Sequence, residues 1–232
     1  MLAAVRTTQR APLRVALLAL PLGACVSGGE PRAFDPPIPE LVAANEANGD
    51  PYGGRFPYEE AIAGLEGEGS LRAVIETDVG TIHCRLEPET APITVATFVG
   101  LARGLRPFQE EEGGPWVTAP FYDGLPWHRA VEGQFVQGGR RGSRENPGFQ
   151  IQDEISPGAK FDRAGVMGLA HGPERHSGAA QFFLTSSELT SLNGEYTIFG
   201  RCEDHHVIRE LERRVRGRGE PPRIVHVTIE RR

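Results

Sequence analysis

The sequence contains no apolar run long enough to cross a membrane as a helix, which takes about 20 residues. The apolar run near the N terminus, residues 15–22, is far shorter. The chain also lacks a Gly-x-Ser-x-Gly turn, a Walker sequence, a dinucleotide-binding glycine fingerprint, and the His-Glu-x-x-His and paired Cys-x-x-Cys patterns of zinc sites. These absences argue against a serine hydrolase of that type, a nucleotide-dependent enzyme and the common zinc proteins. We therefore expect neither a cofactor nor a metal.

Positive charge is in deficit, with 25 Lys and Arg against 31 Asp and Glu and a net charge of -6. Arg6, Arg10 and Arg14 lie in residues 1–24, which contain no acidic residue, so removal of that segment changes the net charge by three, from -6 to -9. A protein of this charge has no electrostatic attraction for nucleic acid, and we expect no nucleic-acid partner.

The first 25 residues have the order of a bacterial lipoprotein signal. Basic residues precede the apolar run, and residues 22–25 read Leu-Gly-Ala-Cys, which resembles a lipobox. We expect residues 1–24 to be a signal peptide and Cys25 to be lipidated, although an ordinary secretory signal with an incidental cysteine fits the same pattern. The lipoprotein interpretation places the protein in the bacterial cell envelope, in contact with a membrane through lipid. Val26 is not the aspartate often read as inner-membrane retention, which favours the periplasmic face of the outer membrane.

Cysteine is scarce, and beyond Cys25 the chain has only Cys84 and Cys202. In an oxidising envelope the two could form a disulfide. Two small buried thiols are an equally good interpretation. The sequence leaves both open.

Glycine and proline divide the chain into two regions. Residues 26–56 are rich in both and show no sustained periodicity, which indicates a flexible tether. Residues 58–65 have the pattern of a short helix. With Cys25 these segments make up region 25–70, and residues 71–232, about 160 in number, suit one domain with a proper core.

Alternating patterns dominate the second region. Residues 73–86 predict a β-hairpin, and residues 91–93 open a helix that Gly104 ends. Short strands separated by glycine and proline follow, then a second helix over residues 207–215 and a closing strand at 224–229. This order predicts a mainly β fold, a closed antiparallel barrel capped by two helices.

The segments that bear on chemistry lie between residues 120 and 200. They read FYDGLPWHR at 121–129, QGG at 137–139, QFFL at 181–184 and YTIFG at 196–200. One arginine, two glutamines and a pair of phenylalanines suit a groove for an apolar peptide segment, not a hydrolytic site. Each residue alone has a simpler interpretation, because arginines on alternating strands usually face solvent, phenylalanine pairs are usually core, and glutamines often satisfy backbone groups.

In this order and spacing the segments resemble the cyclophilin family of peptidyl-prolyl cis/trans isomerases, as does ETAPITVATF at residues 89–98. The resemblance extends from about Leu71 to Ile229. It implies an eight-stranded cyclophilin-like barrel and isomerase activity on X-Pro bonds, with proline-containing polypeptides as partners. In the envelope these would be unfolded or partly folded proteins. We expect a monomer.

The resemblance also implies a role for each matching position. Arg129 takes the role of the catalytic arginine. We expect Phe182 in the core, and His171 and His176 as loop or substrate-contact residues with no metal. The implied substrate-binding residues are Phe135, Gln137, Gln181, Phe183, Leu192 and Tyr196.

Several positions depart from the family pattern. Gln134 stands where the family has a pocket phenylalanine. We expect Phe135 to supply the missing ring, with a local β-bulge because strand neighbours face opposite sides. Residues 167–172 and the Ala179-Ala180 pair also differ from the usual sequence, and Ser191 replaces a frequent tryptophan. These changes leave two alternatives: a proline-peptide-binding or chaperone module with weak or no isomerase activity, and a structural envelope lipoprotein.

Overall fold

The computed structural model of the protein describes residues 36–143 and 145–232. The predicted signal peptide, the predicted lipidation site Cys25 and the first part of the predicted tether lie outside the described residues. Among the described residues, no helix combines the length and the apolar composition that crossing a membrane requires.

The fold is mainly β, built on a single eight-stranded antiparallel sheet with a separate two-stranded hairpin. Several neighbouring strands of the sheet, such as β10 and β1 or β2 and β9, are far apart in the chain, so the sheet brings distant segments together. Its order is β10-β1-β2-β9-β7-β8-β6-β5, and β3 pairs with β4. The strands are β1 (Leu71–Thr77), β2 (Gly80–Leu86), β3 (Phe108–Gln109), β4 (Trp116–Val117), β5 (Arg129–Val131), β6 (Phe135–Gly138), β7 (Val166–Leu169), β8 (Phe182–Thr185), β9 (Ile198–Cys202) and β10 (Ile224–Arg231).

The sheet curls, but its end strands do not form a ladder with each other in the described part of the chain, so the prediction of a closed barrel is corrected to a curled open sheet. Three backbone hydrogen bonds bridge the seam between residues 124–127 and 222–224, including one of 2.8 Å from the Trp127 nitrogen to the Pro222 oxygen. The physical reason lies in the sequence at the seam. Strand β5 has only three residues, and Pro126 and Pro222 have no backbone N–H to donate to a ladder.

Helices lie at the positions of the two capping helices that the sequence predicted, but the described residues contain four α-helices instead of two. Helix α3 (Pro92–Ala102) is buried along its whole length, and α4 (His205–Val215) buries one apolar face. The N terminus of α3 is capped from a distance, because the Glu154 carboxylate accepts hydrogen bonds from the backbone nitrogens of Ile93 (3.0 Å) and Thr94 (2.8 Å). The four described α-helices include two more. They are α1 (Pro39–Ala47) and α2 (Tyr58–Ile62).

Helix α1 lies in the segment that the sequence assigned to a flexible tether, and there the structure differs from the prediction. Residues 39–56 pack on the domain through Phe56, which is 1% exposed, and through a buried ion pair between Asp50 and Arg106. Glycine and proline content reports on local backbone freedom, but it does not show contacts with a side chain 56 residues away. The folded unit therefore begins before residue 71.

The main core contains a cluster of aromatic rings between the sheet and α3. Phe98 contacts Phe182 and Phe199 with ring centroids 5.5 Å apart, and Trp127 contacts Phe182 at the same distance. Phe182 is fully buried, as predicted. Next to this cluster, Cys84 on β2 lies opposite Cys202 on β9, and the two form a disulfide. The pairing that the sequence left open is therefore present.

Candidate active site

A cleft of about 490 Å³ opens at one end of the sheet, beside β5, β6 and β8. This volume lies in the range of sites that bind small ligands or short peptide segments. All seven residues to which the sequence assigned catalysis or substrate binding line this one cleft. The lining consists of Arg129, Phe135, Gln137, Glu145, Asn146, Gln150, Ala170, His171, Gly172, Pro173, Ser177, Gln181, Phe183, Leu192 and Tyr196.

Strand register places three of these residues in one row across the sheet. Arg129 on β5 pairs with Gln137 on β6, and Gln137 pairs with Phe183 on β8. Because alternate residues of a strand share a face, the neighbours Val136 and Leu184 point into the main core instead. The alternation of the sequence therefore sorts these strands into a cleft face and a core face.

A chain of side-chain hydrogen bonds runs along the polar side of the cleft. Arg129 Nη1 donates to Gln137 Oε1 at 3.3 Å, and Gln137 Nε2 donates to Gln181 Oε1 at 2.9 Å. Gln181 Nε2 then donates to the backbone oxygen of Glu145 at 2.7 Å. Both glutamines are buried, whereas Arg129 is exposed. Each amide is thus oriented by its neighbours, and the guanidinium retains further N–H groups for a ligand.

An aromatic cluster forms the apolar side of the cleft. The Phe183 ring lies 5.5 Å, centroid to centroid, from the rings of Phe135, Phe161 and Tyr196. Gly168 on the adjacent strand β7 leaves room for the Phe183 ring, because an added Cβ would lie 2.4 Å from Phe183 Cζ. The Phe183 ring therefore lies against β7. It forms the bottom of an apolar slot that the Phe135 and Tyr196 rings also line.

Phe135 reaches this slot without the β-bulge that the sequence analysis expected. Gln134 is an exposed residue of the turn between β5 and β6, and its nitrogen donates to the Val131 oxygen at 3.0 Å. Val131 pairs directly with Phe135, so the register is regular. Phe135 therefore starts the strand on the same face as Gln137, and the Arg129 guanidinium carbon lies 5.2 Å from the centroid of its ring.

The rim beside Tyr196 is formed by the loop that follows β7. The His171 ring stacks on the Tyr196 ring with centroids 4.4 Å apart, and its two nitrogens contact the backbone oxygens of Gly172 (2.6 Å) and Glu195 (3.0 Å). His176 does not line the cleft; its Nδ1 accepts a hydrogen bond from the Asp153 backbone nitrogen at 3.0 Å. Of the two histidines expected near the groove, only His171 is part of it.

Two residues near the Arg129–Gln137–Gln181 hydrogen-bond chain, His128 and Tyr122, add no charge to the cleft. Burial lowers the pKa of His128, and the positive charge of Arg140 lowers it further. The imidazole is therefore neutral at neutral pH and adds no second charge beside Arg129. Burial raises the pKa of Tyr122 well above its ordinary value, and its hydroxyl donates to the Ala180 oxygen at 3.0 Å. That bond holds the chain immediately before Gln181.

Sequence reasoning missed the outer wall of the cleft and the ring beneath its slot. Glu145, Asn146 and Gln150 form the wall, yet no local periodicity marks them. Phe161 stacks on Phe183 from a loop, and its nitrogen donates to Asn193 Oδ1 at 2.8 Å. The part these residues play in the cleft depends on the tertiary arrangement of their loops, which the sequence pattern does not indicate.

The chemistry available in the cleft is that of hydrogen bonding and apolar contact. In the described part of the chain, no group of three or more His, Cys, Asp or Glu side chains is arranged to hold a metal ion. The buried amides can hold a peptide segment by its backbone and the aromatic slot can hold an apolar ring, with the Arg129 guanidinium beside Gln137 and the Phe135 ring.

Curated relatives have the same domain. The chain is 38% identical to the peptidyl-prolyl cis-trans isomerase A of Mycobacterium tuberculosis over 144 residues, which is 60% of this chain and 78% of the relative. It is also 38% identical to the peptidyl-prolyl cis-trans isomerase B of Streptomyces anulatus over 132 residues, 56% of this chain and 75% of the relative.

Solved structures agree. A cyclophilin-type peptidyl-prolyl cis-trans isomerase of Cryptosporidium parvum superposes with a TM-score of 0.59 at 25% identity, covering 70% of this chain and 99% of that one. A structure of the same protein in the presence of the dipeptide Ala-Pro gives a TM-score of 0.58 at 26% identity, covering 69% and 99%. The sequence profile described as cyclophilin type peptidyl-prolyl cis-trans isomerase/CLD matches residues 72–231. With more than half of its length in that match, the chain belongs to the cyclophilin-type peptidyl-prolyl cis-trans isomerases.

Proposed function

We propose that the protein isomerises X-Pro bonds in unfolded or partly folded proteins of the cell envelope, with Arg129 stabilising the twisted amide. One observation carries the proposal: the Arg129–Gln137–Gln181 hydrogen-bond chain and the Phe183 slot line a single cleft. A cyclophilin structure obtained with the dipeptide Ala-Pro supports a proline-containing ligand for this cleft.

The reaction needs no nucleophile, because no covalent bond breaks. Amide resonance creates a barrier of about 18–20 kcal/mol to rotation about a peptide bond. The catalyst must bind the twisted amide more tightly than either planar form. In the twisted state the prolyl nitrogen becomes pyramidal and gains a lone pair that a donor can reach.

Arg129 has the properties that this donor requires. A guanidinium is protonated at all relevant pH values and presents its N–H groups in a rigid fork. The hydrogen bond to Gln137 and the Phe135 ring hold it at the edge of the cleft. A donor that is already in place when charge develops stabilises the transition state without reorganisation.

The other cleft residues would bind the two sides of the substrate's X-Pro bond at different places. Phe183, Phe135 and Leu192 would hold the prolyl ring in the apolar slot, with Tyr196 at its edge. Gln137 and Gln181 would bind the flanking backbone. Holding one side of the bond while the other turns restricts motion to the one rotation that matters.

We place this reaction at the bacterial cell envelope, on the periplasmic face of the outer membrane. The basic flank, apolar run and Leu-Gly-Ala-Cys ending of residues 1–25 support a lipid anchor at Cys25. The disulfide between Cys84 and Cys202 suits an oxidising compartment.

The direct test pairs a rate with an affinity. The purified domain is added to a proline-containing peptide whose cis and trans forms are distinguishable, and the interconversion rate is measured beside a binding titration. Acceleration at substoichiometric enzyme supports an isomerase. Binding without acceleration would identify a proline-peptide-binding module, and loss of both would favour a structural lipoprotein.

A further inference from the structure

The outer wall of the cleft, residues 145–152, lies outside every sheet. Asn146 and Gln150 line the cleft, yet Ile151 alone in this segment makes a strand-like bridge, with Gly178. Buried backbone N–H and C=O groups need partners. Because the sheet supplies few of them here, the position of the wall depends on other contacts.

The N-terminal arm, residues 39–56, supplies those contacts at alternate residues of the wall. The Asn45 side chain accepts a hydrogen bond from the Gln150 nitrogen and donates one to the Gln150 oxygen, both at 2.9 Å. The Asn45 side-chain amide thus binds both backbone groups of Gln150, as a residue of a neighbouring strand would. On either side of this pair, Asn48 Nδ2 donates to the Gly148 oxygen, and Arg55 Nη1 donates to Gln152 Oε1 at 3.1 Å.

The arm is itself anchored by a buried ion pair. The Asp50 carboxylate binds the Arg106 guanidinium through two hydrogen bonds of 2.7 Å, and both side chains are 0% exposed. The Arg106 guanidinium carbon also lies 3.8 Å from the centroid of the Phe149 ring, which belongs to the wall. One guanidinium therefore contacts the arm and the wall together, and loss of either charge would leave the other buried without compensation.

Gly54 shows how closely the arm and wall approach. Its φ is +84°, which favours glycine, and an added Cβ would lie 2.4 Å from both Asn45 Nδ2 and the Gln150 oxygen. The backbone of the arm is thus pressed against the Asn45–Gln150 pair. A loosely attached tether would not need such a position.

We propose that Asn45 is a positioning residue: it holds Gln150, and with it the outer wall of the cleft, where a bound peptide needs it. This inference rests on the proposed peptide groove. A wall already in place lowers the ordering cost of binding. Arg129 is held by β5 and Gln137, and its hydrogen-bond chain meets the wall only at the Glu145 backbone oxygen, away from the Asn45–Gln150 pair. Loss of the wall should therefore weaken peptide binding and leave the rotation step nearly unchanged.

Asn45→Ala tests the proposal, with Arg103→Ala as its matched control. Arg103 also makes two side-chain hydrogen bonds to backbone, to the oxygens of Ala61 and Ala63, but it does not touch the wall. We expect Asn45→Ala to raise KM for a proline peptide about three- to tenfold, with kcat within about twofold of wild type. Arg103→Ala should leave KM near the wild-type value.

Two further measurements keep the test decisive. Asn45→Asp has the same shape but removes the donor to the Gln150 oxygen, so it should raise KM as Asn45→Ala does even if the alanine variant folds poorly. Hydrogen exchange at the Gln150 amide should accelerate in Asn45→Ala, which removes the acceptor of that N–H, and not in Arg103→Ala. Equal KM increases in the Asn45 and Arg103 variants would overturn the proposal, because they would report general destabilisation.

Phe183→Ala, assayed in parallel, separates this inference from the proposed function. If Phe183→Ala binds peptide as wild type does, the groove assignment fails and the inference with it. If Phe183→Ala loses binding while both Asn45 variants keep the wild-type KM, the positioning role alone is wrong.

Discussion

Arg129 lies directly opposite Gln137 across strands β5 and β6, and its Nη1 donates a 3.3 Å hydrogen bond to Gln137 Oε1. Gln137 is in turn bound to Gln181. The exposed charge of the cleft is therefore attached to two buried amides, which restrict where the guanidinium can be. This relationship is what allows Arg129 to be a fixed donor on an otherwise open surface.

We predict that Arg129→Ala reduces catalysed isomerisation about 10- to 1,000-fold, the loss expected for one electrostatic donor worth about 1.4–4 kcal/mol. Peptide affinity should fall much less, because the donor acts mainly on the twisted amide. Arg129→Lys should recover little activity, since an ammonium lacks the planar fork. Isomerisation rates and a peptide titration on the same preparations check this.

Arg209→Ala is the control for the Arg129 variants. Arg209 is an exposed residue of α4 that is not among the cleft residues, so its removal changes the net charge by the same amount. It should leave isomerisation unchanged. Wild-type turnover in Arg129→Ala, in a protein shown to be active, would end the proposed mechanism.

We predict that Phe135→Ala weakens binding of proline peptides, because the ring forms one side of the slot against Phe183. Gln134→Ala is the matched neighbour: Gln134 is exposed in the turn and should tolerate the change. Removing a large apolar contact from a binding pocket typically costs about 1–3 kcal/mol, so peptide affinity should fall roughly 5- to 150-fold. Equal affinities in the two variants would show that Phe135 does not contact the prolyl ring.

We predict that the disulfide between Cys84 and Cys202 contributes about 2–5 kcal/mol to the free energy of unfolding, because it closes a long loop with a sequence separation of 118. Urea unfolding of the wild-type domain should shift to lower denaturant when a reductant is added. The Cys84→Ala/Cys202→Ala double variant should unfold at the lower midpoint with or without reductant. A wild-type midpoint that does not respond to reduction would contradict the prediction.

We predict that the full-length protein partitions with membranes through lipid at Cys25, and that Cys25→Ser releases it. A single acyl chain binds only marginally, so stable anchoring would depend on more than one chain. Fractionation of cells that express each form measures the partition, and separation of inner from outer membranes tests the outer-membrane assignment. Membrane retention of Cys25→Ser would rule out the lipid anchor.

Much of the cleft could be predicted from the sequence because the segments near residues 121–129 and 181–184 carry the family resemblance, which implied the roles of Arg129, Gln137 and Phe183. In the structure, strand alternation then places these three residues on the cleft face and their neighbours on the core face. The helices that became α3 and α4 were likewise visible in their apolar spacing and end signals. For these helices the residues that decide the structure are neighbours in the chain, so their pattern alone determined them.

Only the tertiary structure decided the wall of the cleft, the folding of the arm and the seam of the sheet. Asn45 binds Gln150 across 105 residues of chain, and Asp50 binds Arg106 across 56. Such contacts join side chains to distant backbone or to distant charges, and they leave no periodicity in the segments that make them. The pairing of Cys84 with Cys202 has the same origin, because the register of β2 against β9 brings together two thiols that the sequence places 118 residues apart.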